Sequence, residues 1–428
     1  MDFLTPGQRL KKIRKELQMT QNDFIDDTMT RSYFGMIEVG KRNLNLSSAK
    51  LILGKLKARA KELNVEFNID EAYLLMAKEE EARKYCINKM KNNPTEEDIL
   101  YIIDIASKYS LKDVEAEGDK LLGDISYKQY KFLDAFIKYN NSLEICKEIG
   151  KTDIQCYLNN RLGMCKYNEL DYIESLLYFN RAQQCSVTYK NEEVEINSIF
   201  NMALAYKKIK KIDEAIKHID LFVSKIDNTN DYAEKYIQAN ILKVNCLKEQ
   251  GRIDDAIVVL NALLTKFEGL EKSIEANIYN NLGVLYLEKG DFDNSLKAFD
   301  ISESIRLEHD KSRLSHTIIE KSNLYIQKEF YTEAIILIKM GCDLAEAYND
   351  CYYLLKAYYL LVDIYERSNK YKDAEEIYFK IIKLVKEKYS SSELLKVYLK
   401  LTELYINQKD VEKAAIYIKL SQNISGKC

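Results

Sequence analysis

The sequence predicts an all-α protein, and three observations predict it. Only 14 Gly and 2 Pro occur in 428 residues, and these are the residues that tight turns and many-stranded β folds consume. A short apolar signature recurs about every forty residues from Phe132 onward. Charge is divided unevenly. The net of −3 combines +6 in residues 1–60, where 12 Lys/Arg stand against 6 Asp/Glu, with −9 in the remainder. With 46% apolar residues the chain has ample material for a core, which excludes a disordered chain. A basic head on an acidic body points to nucleic acid at one end.

In the head, Leu10, Ile13 and Leu17 lie at helical spacing within Gly7–Leu17 and predict a first helix. Thr20, with Asp23 three residues on, predicts the capped start of a second. Thr30 is placed to cap a third that ends near Gly40, and Ser47 to open a fourth. Arg14 and Lys15 read as ordinary surface charge. Thr20-Gln21, Arg31-Ser32 with Ile37-Glu38, and Gly40-Lys41-Arg42 together resemble the repressor-type (Xre-like) helix-turn-helix domain. The Gly usual in the turn between the second and third helices is absent, the chain reading DDTMTRS. The resemblance implies that the third helix enters the major groove of double-stranded DNA. Arg31, Ser32 and Tyr33 would then read base edges, Met36 would follow one turn later, and Gln21, Lys41 and Arg42 would hold phosphate.

The repeat reads Phe132-x-x-Ala135, Tyr172-x-x-Ser175, Ile212-x-x-Ala215 and Ile253-x-x-Ala256, then Phe292-x-x-Ser295, Tyr331-x-x-Ala334, Tyr371-x-x-Ala374 and Val411-x-x-Ala414. A bulky residue follows each small one by four positions, and Leu122-Gly123, Leu162-Gly163 and Leu282-Gly283 mark the preceding helix. Small residues let paired helices approach while bulky ones fill the space between units. The residue before the small one is acidic in six of the eight units, which suits the positive end of a helix. This pattern resembles a tetratricopeptide array with units about six residues longer than the usual 34, stacked as a right-handed superhelix. Three regions are expected: 1–66, the helix-turn-helix domain; 67–115, linker helices with room for a degenerate first repeat; and 116–428, about eight repeats.

No catalytic constellation is apparent, so an enzyme is not expected, nor a metal or other cofactor: His218, His309 and His316 lack ligand spacing with one another or with any Cys pair. The nine Cys form no CxxC and read as reduced, buried thiols. With no signal-like start and no apolar run of membrane length, a cytoplasmic location and no membrane partner are expected.

In a tetratricopeptide unit, the concave wall takes residues at fixed positions before the small one. Counting back gives Asn160, Asn197, Asn201, Gln238, Asn245, Asn277, Asn280, Asn281 and Asn323, with Lys356 further on. An amide offers both donor and acceptor, so a row of them can pair with an extended peptide backbone whatever its sequence. Head and repeats together resemble the Rgg/PlcR/PrgX (RRNPP) peptide-pheromone-responsive regulators. That resemblance implies a homodimeric quorum-sensing transcription regulator. It would bind a short signalling peptide in the groove of its repeats and change its grip on an inverted-repeat operator. The alternative is an interaction scaffold whose repeats hold a folded protein while the head tethers it to DNA.

Overall fold

The computed structural model describes residues 2–226, 233–267, 271–389 and 391–425. Among these every regular element is helical, and the chain divides into two compact units, residues 1–225 and 226–428. The first unit begins with α1 (Pro6–Glu16), a 3-10 turn (Gln21–Phe24), α2 (Arg31–Glu38) and α3 (Leu46–Glu62). Their inner faces meet at Leu10, Ile13, Phe24, Phe34, Ile37, Ile52, Leu53 and Leu56, with Phe24 and Phe34 stacked at 4.5 Å.

The expected second helix is only that 3-10 turn. Asp26 ends it: its Oδ1 accepts from the Thr28 amide and hydroxyl, and its backbone pairs with Met29 in a tight turn. Asp and Thr side chains that bond their own backbone in this way compete with helix. No residue from Ile25 to Thr30 takes a positive φ, so the turn needs no Gly. The fourth helix starts earlier than expected because Asn45, not Ser47, caps it, accepting from the Ser48 amide at 2.8 Å.

Next come α4 (Glu71–Leu75), α5 (Lys78–Met90) and α6 (Glu96–Lys108), the last opened by a Thr95–Asp98 capping box. Three helix pairs complete the unit: α7 (Lys112–Lys128) with α8 (Phe132–Glu148), α9 (Asp153–Asn168) with α10 (Tyr172–Tyr189), and α11 (Glu192–Lys208) with α12 (Ile212–Ile226). The second unit holds five more: α13 (Ala233–Glu249) with α14 (Ile253–Lys266), α15 (Lys272–Lys289) with α16 (Phe292–His309), α17 (Leu314–Gln327) with α18 (Tyr331–Ala347), α19 (Cys351–Arg367) with α20 (Tyr371–Lys388), and α21 (Ser391–Asn407) with α22 (Val411–Ser425). All eight small residues of the repeat are buried, seven with no exposure at all and Ala414 at 4%.

The Leu-Gly marks have a steric cause. A Cβ on Gly123, Gly163 or Gly283 would stand 2.6–2.7 Å from the ring of Tyr139, Phe179 or Phe299, the bulky residue of the facing helix. Where that residue is Ile219, Leu260 or Ile338, the Gly position holds Ala203, Val244 or Ser322. Val362, in register with Tyr378, departs from this rule, and nothing in the structure explains it.

Scarcity of Gly does not mean scarcity of sharp turns. Every pair turns through a left-handed residue five positions before its small residue: Tyr130, Leu170, Lys210, Gly251, Gly290, Glu329, Asn369 and Lys409, with φ between 54° and 80°. Six of these carry a side chain in a conformation that costs about 1–2 kcal/mol outside Gly. Among the described cysteines one pair departs from the expected thiols: Cys156 and Cys185, 29 residues apart, are joined as a disulfide. No spacing motif marks this pair; the α9–α10 hairpin brings it together.

Leu170 is 70% exposed and has a φ of 67°. Leu170→Gly is therefore expected to stabilise the chain by about 0.5–1 kcal/mol, the relief of the left-handed cost less the entropy Gly adds to the unfolded chain. Leu170→Val should lower stability. Urea denaturation of the variants beside the parent chain reads both signs.

Candidate functional site

On the head, Arg31 and Ser32 occupy the first turn of α2, and Thr30 caps it by accepting from the Tyr33 amide at 3.2 Å. Arg31, Ser32, Met36, Lys41 and Arg42 are exposed, and Tyr33 is half-buried with the Arg42 guanidinium 6.0 Å from its ring centre. Among the described residues neither Arg31 nor Lys41 has a carboxylate partner, so this face presents positive charge to solvent. Gln21 is tied inward: its Nε2 donates to Glu38 Oε2 at 2.7 Å.

Arg14 is not surface charge. It is 11% exposed, grips Glu38 through Nε at 2.6 Å and Nη2 at 3.1 Å, and donates to the Met19 carbonyl at 2.8 Å. One carboxylate thus ties α1, the 3-10 turn and α2 together. A second arginine joins the head to the linker helices α4 and α5. Arg9, 1% exposed, donates from Nη1 to the Tyr73 and Met76 carbonyls and from Nη2 to Leu4 O and Glu81 Oε2, at 2.6–3.0 Å. Residues before α1 lie on the linker as well, with Phe3 packed against Tyr85 and Tyr109 and Asp2 paired with Lys108.

In the repeats of the first unit, a cavity of about 480 Å³ opens between α9 and α11. Asn160, Asn197 and Asn201 all line it, joined by Tyr157, Arg161 and Phe200. Asn201 donates to Asn160 Oδ1 at 3.0 Å, linking one unit to the next. A smaller cavity of about 190 Å³ shares Met164 and Asn201 with it and extends it toward Tyr127 and Leu204.

Arg161, absent from the amide row, sits on the wall of the larger cavity. Its guanidinium lies 4.3 Å from the Tyr127 ring centre, with Nη2 3.1 Å from Asp124 and Nε donating to the Tyr139 hydroxyl at 2.9 Å. Asp124 also accepts from the Tyr139 and Tyr157 hydroxyls, at 2.6 and 2.8 Å. Burial pushes both phenols far up, so they stay protonated donors. Among the described residues Arg161 Nη1 has only the Met164 sulfur, at 3.8 Å, and so carries donors for an acceptor in the cavity. It also lies on the inner helix at a counted-back position, but a pattern of amides passes over a guanidinium.

The remaining predicted residues belong to the second unit and do not form one surface of like character. Gln238 and Asn245 are exposed, with Gln238 donating to Glu234. Asn277 accepts from the buried Arg306 at 2.6 Å, and Asn280 is buried with an Oδ1 that has no partner among the described residues. Asn281 is half-buried, Asn323 reaches back to its own helix carbonyls, and Lys356 pairs with Glu320. Nearby His316 stacks on Tyr353 at 3.7 Å and bonds Asp350 at 2.6 Å. Among the described residues no group of His, Cys, Asp and Glu is arranged to hold a metal, and no helix is long and apolar enough to cross a membrane.

The tetratricopeptide repeat family model matches residues 276–301 and 355–384. The chain carries tetratricopeptide repeats. It is 20% identical over 251 residues to response regulator aspartate phosphatase A of Bacillus subtilis (strain 168), a match over 58% of this chain and 61% of that relative. The chain therefore matches less than two thirds of that relative's length. Among solved structures it resembles the apo form of the quorum sensor NprR from B. thuringiensis, with a TM-score of 0.51, 20% identity, and 81% of this chain and 99% of that one covered. It also resembles aspartyl phosphate phosphatase F from Bacillus subtilis, with a TM-score of 0.51, 13% identity, and coverage of 81% and 92%. At these identities the likeness establishes the all-helical repeat fold.

Two outcomes test these arrangements. Glu38→Ala leaves the Arg14 guanidinium buried without its carboxylate and should cost the head about 3–5 kcal/mol, much of it recovered in the double replacement Arg14→Met with Glu38→Leu. Amide exchange of α1 and α2, compared with that of α9, reads this. Burial, with the nearby Arg306 and Arg313 charges, lowers the His316 pKa below 6.5 against the opposing pull of Asp350. The unfolded chain then binds the proton more readily, so stability should fall as pH drops below about 6.5. His316→Gln should flatten that slope in urea denaturations at pH 5 and 7.5.

Proposed function

We propose that this chain is a cytoplasmic, homodimeric transcription regulator. In this reading it binds a short signalling peptide in the groove of its repeats and thereby changes the hold of its head on an inverted-repeat operator in double-stranded DNA. The observation that carries the peptide half is the cavity between α9 and α11, where Asn160, Asn197 and Asn201 converge beside Arg161 and Phe200. Amides there would pair with an extended backbone, Arg161 would take an acidic side chain or the terminal carboxylate, and Phe200 would give an apolar contact. The fold shared with a protein described as a quorum sensor supports this reading.

The DNA half is supported by the exposed row Arg31, Ser32, Met36, Lys41 and Arg42 on and after a capped α2, in a segment of net charge +6. Arg31 would read a base edge with Ser32 and Tyr33, while Lys41 and Arg42 would hold phosphate. Gln21, occupied by Glu38, would act at the phosphate through its backbone amide. The clamp around Arg9 would carry a change in the repeats to the head, because it couples α1 to α5. Coupling of this kind is a free energy shared by two sites, so peptide and DNA must each alter the affinity of the other.

A gel shift on the DNA upstream of the protein's own gene, with and without short peptides encoded beside it, tests both halves. Arg31→Ala should weaken the specific shift by roughly 5- to 150-fold while leaving peptide binding intact. Asn201→Ala should do the reverse. Absence of any sequence-specific shift would defeat the regulator reading and leave the scaffold.

A further inference from the structure

We propose that Cys156 and Cys185 form a reversible thiol–disulfide site that sets how firmly the wall of the α9–α11 cavity is held. Its functional consequence rests on that cavity being the ligand site. The two Cα atoms are 5.2 Å apart, within the span a disulfide allows. Cys156 lies in the first turn of α9 and Cys185 in the last turns of α10, so the bond clips the open end of a hairpin whose other end is closed by its turn.

The surroundings suit both redox states. Each sulfur lies 3.9–4.0 Å from the Thr152 carbonyl oxygen, which gives either thiol an acceptor once the bond is reduced. Cys185 is partly exposed and Cys156 fully buried, which makes Cys185 the sulfur an oxidant reaches and Cys156 the one that resolves it. The other thiols are placed differently. Cys86, Cys165 and Cys342 are buried, and burial pushes their thiols up to about 11, 12 and 12, so they stay protonated and inert. Cys351 is partly exposed but has no disulfide partner among the described residues.

The pair is joined to the cavity through shared residues. Cys156 packs in one cluster with Ala182 and Val194, and Tyr157 and Cys185 lie against it. Tyr157 and Val194 line the cavity. Closing the bond fixes α9 to α10 beside that wall, while opening it frees the first turn of α9, the turn that holds Tyr157 against Asp124.

The oxidant is hydrogen peroxide. The Cys185 thiolate attacks a peroxide oxygen, the O–O bond breaks, and one water leaves with the sulfenic acid formed. The Cys156 thiol then attacks the Cys185 sulfur, the S–S bond forms as the S–O bond breaks, and a second water leaves. Two thiols give up two electrons and two protons, and peroxide is reduced to two waters. A dithiol reductant reverses the step by exchange. In a reducing compartment a disulfide is transient, which fits a sensing role better than a structural one.

The test takes the full chain, reduced and then treated with graded peroxide, with free thiols alkylated and the linked peptides mapped by mass spectrometry. Amide exchange of the oxidised and reduced chains is then compared without any ligand. The expected first product is the Cys156–Cys185 cross-link, reversed by dithiothreitol. Exchange across 156–164 and 193–201 should be about tenfold slower when the bond is closed. Cys156→Ser should leave a sulfenic acid trapped at Cys185, which dimedone labels. Oxidation of other thiols before this pair would overturn the site, and unchanged exchange in those segments would overturn its hold on the cavity. Neither readout uses a peptide, so a failure of peptide binding is told apart from a failure of this switch.

Discussion

Everything in the repeats depends on how closely two helices approach at one small residue per unit. Ala135, Ser175, Ala215, Ala256, Ser295, Ala334 and Ala374 have no exposed surface, and any larger side chain there would push its pair apart. That contact fixes where the facing helix must be thin, which places Gly123, Gly163 and Gly283 under Tyr139, Phe179 and Phe299. It also fixes the length of the hairpin, so a left-handed residue falls five positions earlier in every unit. Spacing and turn accompany that contact in all eight units, and a Gly under an aromatic ring accompanies it in three.

The polar contacts between neighbouring units complement this apolar ladder. Asn201 bonds Asn160 across one such boundary, Lys356 pairs with Glu320 across another, and Arg161 reaches Asp124 across a third. Of these residues, Asn160, Arg161 and Asn201 line the α9–α11 cavity. On the proposed function, a peptide that takes Asn201 for its own backbone exchanges a unit-to-unit bond for a unit-to-ligand bond. Binding then bears directly on how adjacent units are set, and small rotations per unit add along a stack.

The head adds a polar device to its apolar core. Glu38, 3% exposed, gathers Arg14 and Gln21, and Arg9 gathers four acceptors from Leu4, Tyr73, Met76 and Glu81. Removing one partner of a buried pair of this kind leaves the other charge uncompensated and is costly. Charge that the sequence shows as a featureless basic surplus is therefore of two kinds. Arg9 and Arg14 are structural and sealed, whereas Arg31, Lys41 and Arg42 remain in solvent.

The sequence by itself determined the helical class, the forty-residue register and the small and bulky positions. These depend on spacing along one chain, and helix geometry converts spacing directly into faces. It also put Asn160, Asn197 and Asn201 in register for one inner face, because they stand 15, 18 and 14 positions before their small residues and steps of three and four share a helix face. Only the tertiary structure decided that these three amides line one cavity and that Asn277 and Asn323 bond within their own repeats. It likewise decided that Arg161 stands beside those amides, that Arg9 and Arg14 are buried, that Asp26 ends the second helix as a single turn, and that Cys156 meets Cys185. Each of these depends on a partner distant in the chain or on competition for one hydrogen bond, and no periodicity records such choices.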